Sequence, residues 1–183
     1  MIAIAYCSGS GHTRRLAELV AEGISGAGGT ARLIDVETLD ADVWQALDTA
    51  DAIVFGAPTY MGSAAAAMKH MMDESSDRWS DQVWQDKVAA GFTIGSYASG
   101  DKLATLTQFA VFAAQHGMIW AGLTEIGPVG SNIADINWQG SNLGLMATSS
   151  RDKSILIDPG DGETARLFGA RIVAVVNRWT KGG

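Results

Sequence analysis

The residues Ile2-Ala3-Ile4-Ala5-Tyr6-Cys7 run without a break into Ser8-Gly9-Ser10-Gly11-His12-Thr13, and an amphipathic stretch follows at once. A short apolar strand feeding a small-residue turn and then a helix leaves few folds open. The strand must be buried, and the helix must pack back over it. The turn between them has a chemistry of its own. Backbone N–H groups in the first turn of a helix lack an intrahelical acceptor, and the helix dipole adds partial positive charge there. Gly9 and Gly11 allow close approach to the backbone, while Ser8, Ser10 and Thr13 carry hydroxyl donors. These are the parts of a phosphate grip.

Two phosphate loops of other kinds fit less well. The nucleotide-hydrolysing loop ends in Gly-Lys-Ser/Thr, whereas His12 and Thr13 follow Gly11 here. The dinucleotide fingerprint needs a third glycine where Arg14 stands, and arginine resists the close helix–strand packing that this glycine permits. Asp35, at the end of the second predicted strand, keeps the dinucleotide reading open as a ribose-binding carboxylate. A loop of hydroxyls without a lysine suits a terminal monophosphate such as that of FMN. An ordinary strand–turn–helix connection without a ligand uses the same residues.

Beyond this loop, strand-like and helix-like segments alternate, which predicts an α/β parallel sheet with helices on both faces. Strand candidates are Ile2–Cys7, Ala31–Asp35, Ala52–Ala57, Val88–Ile94 and Met118–Leu123. The first helix places Leu16, Leu19, Val20 and Ile24 on one face and stops in Gly26-Ala27-Gly28-Gly29. Further helices are expected over Val43–Thr49, Ala64–Glu74, Lys102–His116 and Gly162–Trp179, the last led in by Asp158-Pro159. Thr124–Asp158 breaks the rhythm. A loop of that length is usually functional or hides a short strand, and Ser149–Lys153 within it reads as a solvated turn.

At 183 residues, 47% hydrophobic and 18% charged, the chain is expected to be one domain, 1–183, with an irregular insertion at about 124–158. A net charge of −7 without a basic stripe argues against a nucleic-acid partner. The apolar start is too short for a leader, and no run is long enough to span a membrane, so a soluble cytoplasmic protein is expected. Cys7 is the only cysteine, so no intramolecular disulfide can form, and in the first strand it is expected to be buried filler. No metal-ligand spacing and no nucleophile–base pair stand out.

In open parallel sheets, ligands bind beyond the carboxyl ends of strands where the order reverses. The third strand ends in Gly56-Ala57-Pro58-Thr59-Tyr60-Met61-Gly62-Ser63, which would set Tyr60 and Met61 on an exposed loop against a flat ring. The fourth ends in Ile94-Gly95-Ser96-Tyr97-Ala98-Ser99-Gly100, whose backbone N–H groups could face a ligand carbonyl. Each loop alone reads equally as a turn.

The phosphate loop, the Gly-x-Pro-Thr-x-x-Gly segment at Gly56–Gly62 and Gln115-His116-Gly117-Met118 together resemble the flavodoxin-like NAD(P)H:quinone oxidoreductases of the WrbA type. The resemblance spans most of the chain and is looser through Thr124–Asp158. It implies a flavodoxin-like five-stranded parallel sheet, order 2-1-3-4-5. It also implies FMN, with Ser8, Ser10, Gly11, His12 and Thr13 on the phosphate and Pro58, Thr59, Tyr60, Met61 and Gly62 along the ring and ribityl chain. Ile94, Gly95, Ser96, Tyr97, Ala98, Ser99 and Gly100 would cover the other ring edge. His116 matches a histidine that reaches a flavin site, and Trp79 a tryptophan lining the quinone and nicotinamide pocket. Members are typically tetrameric, with pockets completed by neighbouring subunits, so a homodimer or homotetramer is implied.

Two positions depart from that pattern. Ser10 stands where an aromatic residue is usual, and Ser96-Tyr97-Ala98-Ser99 is less glycine-rich than its counterparts. The expected function is two-electron transfer from NAD(P)H through FMN to a quinone-like acceptor, with the flavin carrying the chemistry and Tyr60 and Trp79 stacking on the acceptor. A flavodoxin-type single-electron carrier and an FMN reductase are the alternatives. His12 also reads as a polar helix start, His116 as a helix-end histidine favoured by the dipole, and Trp79 as a loop or interface anchor.

Overall fold

Strand β1 (Ile2–Tyr6) is buried along its whole length, as a strand covered on both faces must be. The computed structural model describes residues 1–127, 135–152 and 154–181. Helix α1 (His12–Gly26) leads to β2 (Ala31–Asp35), α2 (Ala41–Asp48) and β3 (Ala52–Tyr60). A two-residue strand β4 (Ser63–Ala64), α3 (Ala66–Glu74) and a single turn α4 (Ser76–Ser80) precede β5 (Val88–Gly95). Helix α5 (Lys102–Gln115), β6 (Ile119–Trp120), β7 (Leu145–Thr148) and α6 (Pro159–Lys181) complete the order.

The parallel sheet runs β2-β1-β3-β5-β6, with Ile2 level with both Ala31 and Ala52, and Ala52 level with Val88. This is the expected 2-1-3-4-5 order, with one refinement at its edge. The fifth position is shared: β6 pairs with Val88 and Ala89 at the start of β5, and β7 pairs with Phe92–Gly95 at its end. The predicted strand Met118–Leu123 is thus cut to two residues, and the segment after it returns to the sheet as β7. With β4 on β3 the described sheet has seven strands rather than five. Of the turn expected at Ser149–Lys153, Lys153 lies outside the described residues.

Each face of the sheet carries its own core. On one side Ile4, Val54, Val88 and Phe92 meet Leu16, Val20 and Ile24 of α1 and Phe168 and Ile172 of α6. Here α1 and α6 cross with backbones nearly touching. A Cβ on Gly23 would lie 2.0 Å from the Arg166 carbonyl oxygen, and one on Gly169 2.2 Å from that of Val20. On the other side Ala3, Ala5, Ile53, Phe55 and Cys7 pack on Leu47, Met68, Met71, Leu106 and Phe109. The methionines of α3 are therefore core filler, as their helical spacing suggests. Burial pushes the Cys7 thiol up to about 11, so it is inert at neutral pH.

Candidate functional site

The three loops predicted to hold a ligand meet at one edge of the sheet, beyond the carboxyl ends of β1, β3 and β5. At the first, Gly11 adopts φ 87°, ψ −18° and caps α1 without a side-chain hydrogen bond. The left-handed backbone turns the chain so that the N–H groups of the first turn face outward. Among the described residues no acceptor meets the N–H of His12 or Thr13. The N–H of Arg14 donates to Ser8 Oγ at 3.2 Å, which leaves the Ser8 hydroxyl proton free to be donated. No acidic residue sits in the first turn of α1 to occupy the dipole's positive end. Thr13 is buried, while Ser10 and Gly9 are exposed. Two free backbone donors, free hydroxyls and no competing anion fit a phosphate.

The second loop is more ordered than its sequence suggests. Strand β3 continues through Pro58, Thr59 and Tyr60, because β4 pairs back on it with Thr59 opposite Ala64 and Tyr60 opposite Ser63. Met61 (φ 49°) and Gly62 (φ 82°) form the two-residue tip of this hairpin, the pair of positive φ values a type I′ turn requires. Glycine takes that conformation freely; methionine does so under strain, with its side chain fully in solvent. Tyr60 is half-exposed and leans on the phosphate loop, since a Cβ on Gly9 would lie 2.8 Å from its hydroxyl oxygen.

The third loop follows β5. Ser96, Tyr97, Ala98 and Ser99 are exposed, and Ile94 is buried beneath them. Three threonines tie this loop's strand to the hairpin. Thr59 Oγ1 lies 2.8 Å from both Thr93 Oγ1 and Thr105 Oγ1, and Thr93 Oγ1 donates to the Ala57 carbonyl at 2.8 Å. A short hydrogen-bonded chain therefore fixes the spacing between hairpin and loop. Exposed aromatic and thioether side chains at Tyr60, Met61 and Tyr97, on loops next to a phosphate grip, suit the flat ring of FMN.

Trp79 and His116 lie elsewhere. The Asp86 N–H donates to Gly117 O at 3.0 Å and the Ile119 N–H to Lys87 O at 2.9 Å, which sets His116 beside the amino end of β5. Helix α5, with 14 residues, separates it from the third loop by about 20 Å. His116 is 2% exposed, stacked at 4.5 Å on Trp84 and edge-on at 4.7 Å to Phe112. Its Nε2 lies 3.0 Å from Ser75 Oγ, its Nδ1 has no partner among the described residues, and burial pulls it down to about 4. With half-exposed Trp79 it lines a cavity of about 260 Å³ shared with Met72, Ser75 and Phe112. One chain does not bring these two residues to its own phosphate loop.

The segment carrying Trp79 is pinned from below. Asp48 accepts from Arg78 Nε at 3.0 Å and from the fully buried indole of Trp84 at 2.8 Å, and the Arg78 guanidinium lies 4.0 Å over Trp44. Sequence reasoning missed this anchor, the threonine chain and a buried lysine, Lys102, under the third loop. Thr93, a polar residue inside an otherwise apolar strand, was the one signal for them in the sequence.

Known proteins share this arrangement. Residues 2–124 match the model of the NADPH-dependent FMN reductase family. The flavodoxin FldP of Pseudomonas aeruginosa is 38% identical over 94% of each chain, and an NAD(P)H dehydrogenase (quinone) of Trichlorobacter lovleyi is 27% identical over 98% of each. A flavodoxin, WrbA-like protein from Agrobacterium tumefaciens superposes with a TM-score of 0.77, at 41% identity over 97% of both chains. A Fusobacterium nucleatum flavodoxin bound to flavin mononucleotide has the same fold, with a TM-score of 0.69 at 14% identity. A phosphate grip without a lysine, exposed aromatic side chains beside it and these relatives converge on one conclusion: the chain belongs to the NADPH-dependent FMN reductase family, flavodoxin-like oxidoreductases that use FMN.

Proposed function

We propose that this oxidoreductase passes two electrons from NAD(P)H, by way of FMN, to a quinone-like acceptor. The observation that carries the proposal is the gathering of three loops beyond the carboxyl ends of β1, β3 and β5, where Tyr60 approaches Gly9 and Met61 and Tyr97 are exposed. Bound FMN supplies the hydride chemistry. The chain's part is to hold and orient. Ser10, Gly11, His12 and Thr13 grip the phosphate through backbone N–H groups and hydroxyls, and the Ser8 hydroxyl donates its free proton. Pro58, Thr59, Tyr60, Met61 and Gly62 form one wall of the ring seat, and Ile94, Gly95, Ser96, Tyr97, Ala98, Ser99 and Gly100 the other. Backbone N–H groups of these walls suit negative charge on the ring's carbonyl edge. Exposed Tyr60 offers its face to the nicotinamide and then to the acceptor, which take turns in one place.

In this reading the chain works as a homodimer or homotetramer, in which half-exposed Trp79 of one copy, seated beside buried His116, closes the loops of another. Two features support it. Trp79 and His116 share a cavity at the opposite edge of the sheet. Leu103 and Val111 of α5, with Trp138, leave apolar surface exposed along a groove of about 1160 Å³ that runs from Ala98 to Gln115.

The test is anaerobic mixing of the FMN-loaded protein with NADPH or NADH, followed by a benzoquinone. Rapid bleaching of the flavin band and its return with the quinone are expected. Slow bleaching by both nicotinamides would refute the reading. It would favour the electron carrier suggested by the resemblance to a protein named flavodoxin. Reduced flavin released into solution would instead identify an FMN reductase.

A further inference from the structure

Lys102, the first residue of α5, is 0% exposed. Its Nζ donates to Gln139 Oε1, to the Ala147 carbonyl at 2.9 Å and to Thr148 Oγ1 at 3.1 Å. Its aliphatic stem lies under the two ends of the third loop: a Cβ on Gly95 would sit 3.5 Å from Lys102 Cδ, and one on Gly100 3.8 Å from Lys102 Cγ. The backbone closes the same turn, with the Lys102 N–H donating to Ser99 O at 3.2 Å. Asp161, 2% exposed, completes the cluster. Its Oδ2 accepts from the Thr148 N–H at 2.8 Å and from Gln139 Nε2 at 3.4 Å. Lysine and aspartate thus share two neutral partners, Gln139 and Thr148, without forming a direct ion pair.

Packing does not explain the charge. Methionine would fill the space of the stem, although it would leave the Ala147 carbonyl and Thr148 Oγ1 without this donor and buried Asp161 without its cation. The position is unfavourable for the helix as well, because a cation in the first turn opposes the positive end of the dipole. Asp101 before it is left-handed, at φ 53°, and makes no side-chain cap. The Lys102 stem thus lies under the two ends of the loop, and its charged Nζ sits beside Ala147 and Thr148, which pair with Ile94 and Gly95 where the loop begins. The arrangement costs the free protein stability and favours an anion in front of the loop. Hydride transfer adds one negative charge to the ring that this loop faces.

We propose that Lys102 is a positioning residue that sets the electrostatic preference of the ring seat for reduced over oxidised FMN, with Asp161 partly cancelling its field. The inference rests on the placement of FMN given above. Burial pulls Lys102 down to about 8, so it still carries most of its charge at pH 7. Asp161 is pushed up by burial and held back by the Thr148 N–H and by Lys102.

The two charges give tests of opposite sign. For the full chain at pH 7, the dissociation constants of oxidised and reduced FMN are measured for the wild type, Lys102→Met and Asp161→Asn. Lys102→Met is expected to lose about tenfold in preference for reduced FMN, the order expected for one buried charge at an effective dielectric near 20. In a two-electron couple that is a potential about 30 mV more negative. Asp161→Asn is expected to move the ratio the other way. Disruption of the loop alone would weaken both redox forms together in both variants, leaving the ratio unchanged. A folded Lys102→Met with a ratio within twofold of wild type overturns the proposal, as does a shift of the same sign in both variants. Should Lys102→Met fail to fold, Asp161→Asn decides alone: a raised ratio supports the proposal and an unchanged or lowered one overturns it. A wild-type chain that retains no FMN overturns the placement itself, and the proposal with it, which separates that failure from the others.

Discussion

His116 makes the stability of this protein fall with acid in a way that can be computed from its surroundings. The ring lies between Trp84 and Phe112, with one nitrogen on Ser75 Oγ and the other without a partner among the described residues. Its charged form is poorly solvated there, so protonation falls from the ordinary 6.5 to about 4. The sign follows from linkage. Between these values the unfolded chain binds more protons than the folded one, so stability is lost as pH falls from 6.5 toward 4. Each unit of displacement is worth about 1.4 kcal/mol, which gives this one group a loss of about 2 kcal/mol at pH 5 and about 3 kcal/mol at pH 4. Against a whole-domain stability of roughly 5–15 kcal/mol that is a large share. Urea unfolding of the FMN-free protein at pH 7.5, 6 and 5 measures it, with His116→Gln as the reference that does not titrate and keeps a donor for Ser75 Oγ, whose own proton goes to the Met72 carbonyl. Carboxylate titration is common to both proteins and cancels in the difference. Wild type should lose about 2 kcal/mol more than the variant between pH 7.5 and 5. Parallel pH profiles would refute a neutral, buried His116 in the folded chain.

Two substitutions probe the scaffold. Gly11→Ala forces a side chain into a left-handed position and should cost roughly 1–2 kcal/mol in urea unfolding, with weaker FMN binding by fluorescence titration. Gly26→Ala, a helical position with open space around it, should lose nothing, and equal behaviour of the two would refute the strained cap. Asp48→Ala strips the Trp84 indole and the Arg78 guanidinium of their acceptor and should cost about 2–3 kcal/mol while freeing the Trp79 segment. A loss below about 0.5 kcal/mol by urea unfolding, with Trp79 fluorescence unchanged, would show that Asp48 is not the anchor.

What the sequence disclosed follows the range of its interactions. The β1–loop–α1 unit, the strand order and the meeting of three loops rest on short-range patterns: apolar runs, glycine stops and helical spacing. The hairpin at Met61–Gly62 was hidden because methionine is a rare occupant of a left-handed turn and nothing local announces β4. The fifth strand misled because Ile119 and Trp120 alone pair with β5, while Leu145–Thr148, far along the chain, takes the rest of that edge. The Lys102–Gln139–Thr148–Asp161 cluster was invisible for the same reason, since its members come from four distant segments. Trp79 and His116 were expected at the flavin site from a resemblance alone, and no local pattern in the sequence says where they lie in the fold. Helix α5 places them a helix length from this chain's own phosphate loop.

Whether the Ser8–Thr13 loop holds a phosphate can be read from the binding of FMN and riboflavin to the wild-type chain. The two ligands differ only in that group. Hydrogen bonds to a charged acceptor are worth about 1.5–3 kcal/mol each, so the N–H groups of His12 and Thr13 alone should supply about 3 kcal/mol or more. FMN is expected to bind at least about 100-fold tighter than riboflavin, with an advantage that shrinks in Gly11→Ala. Equal dissociation constants for the two flavins would contradict it.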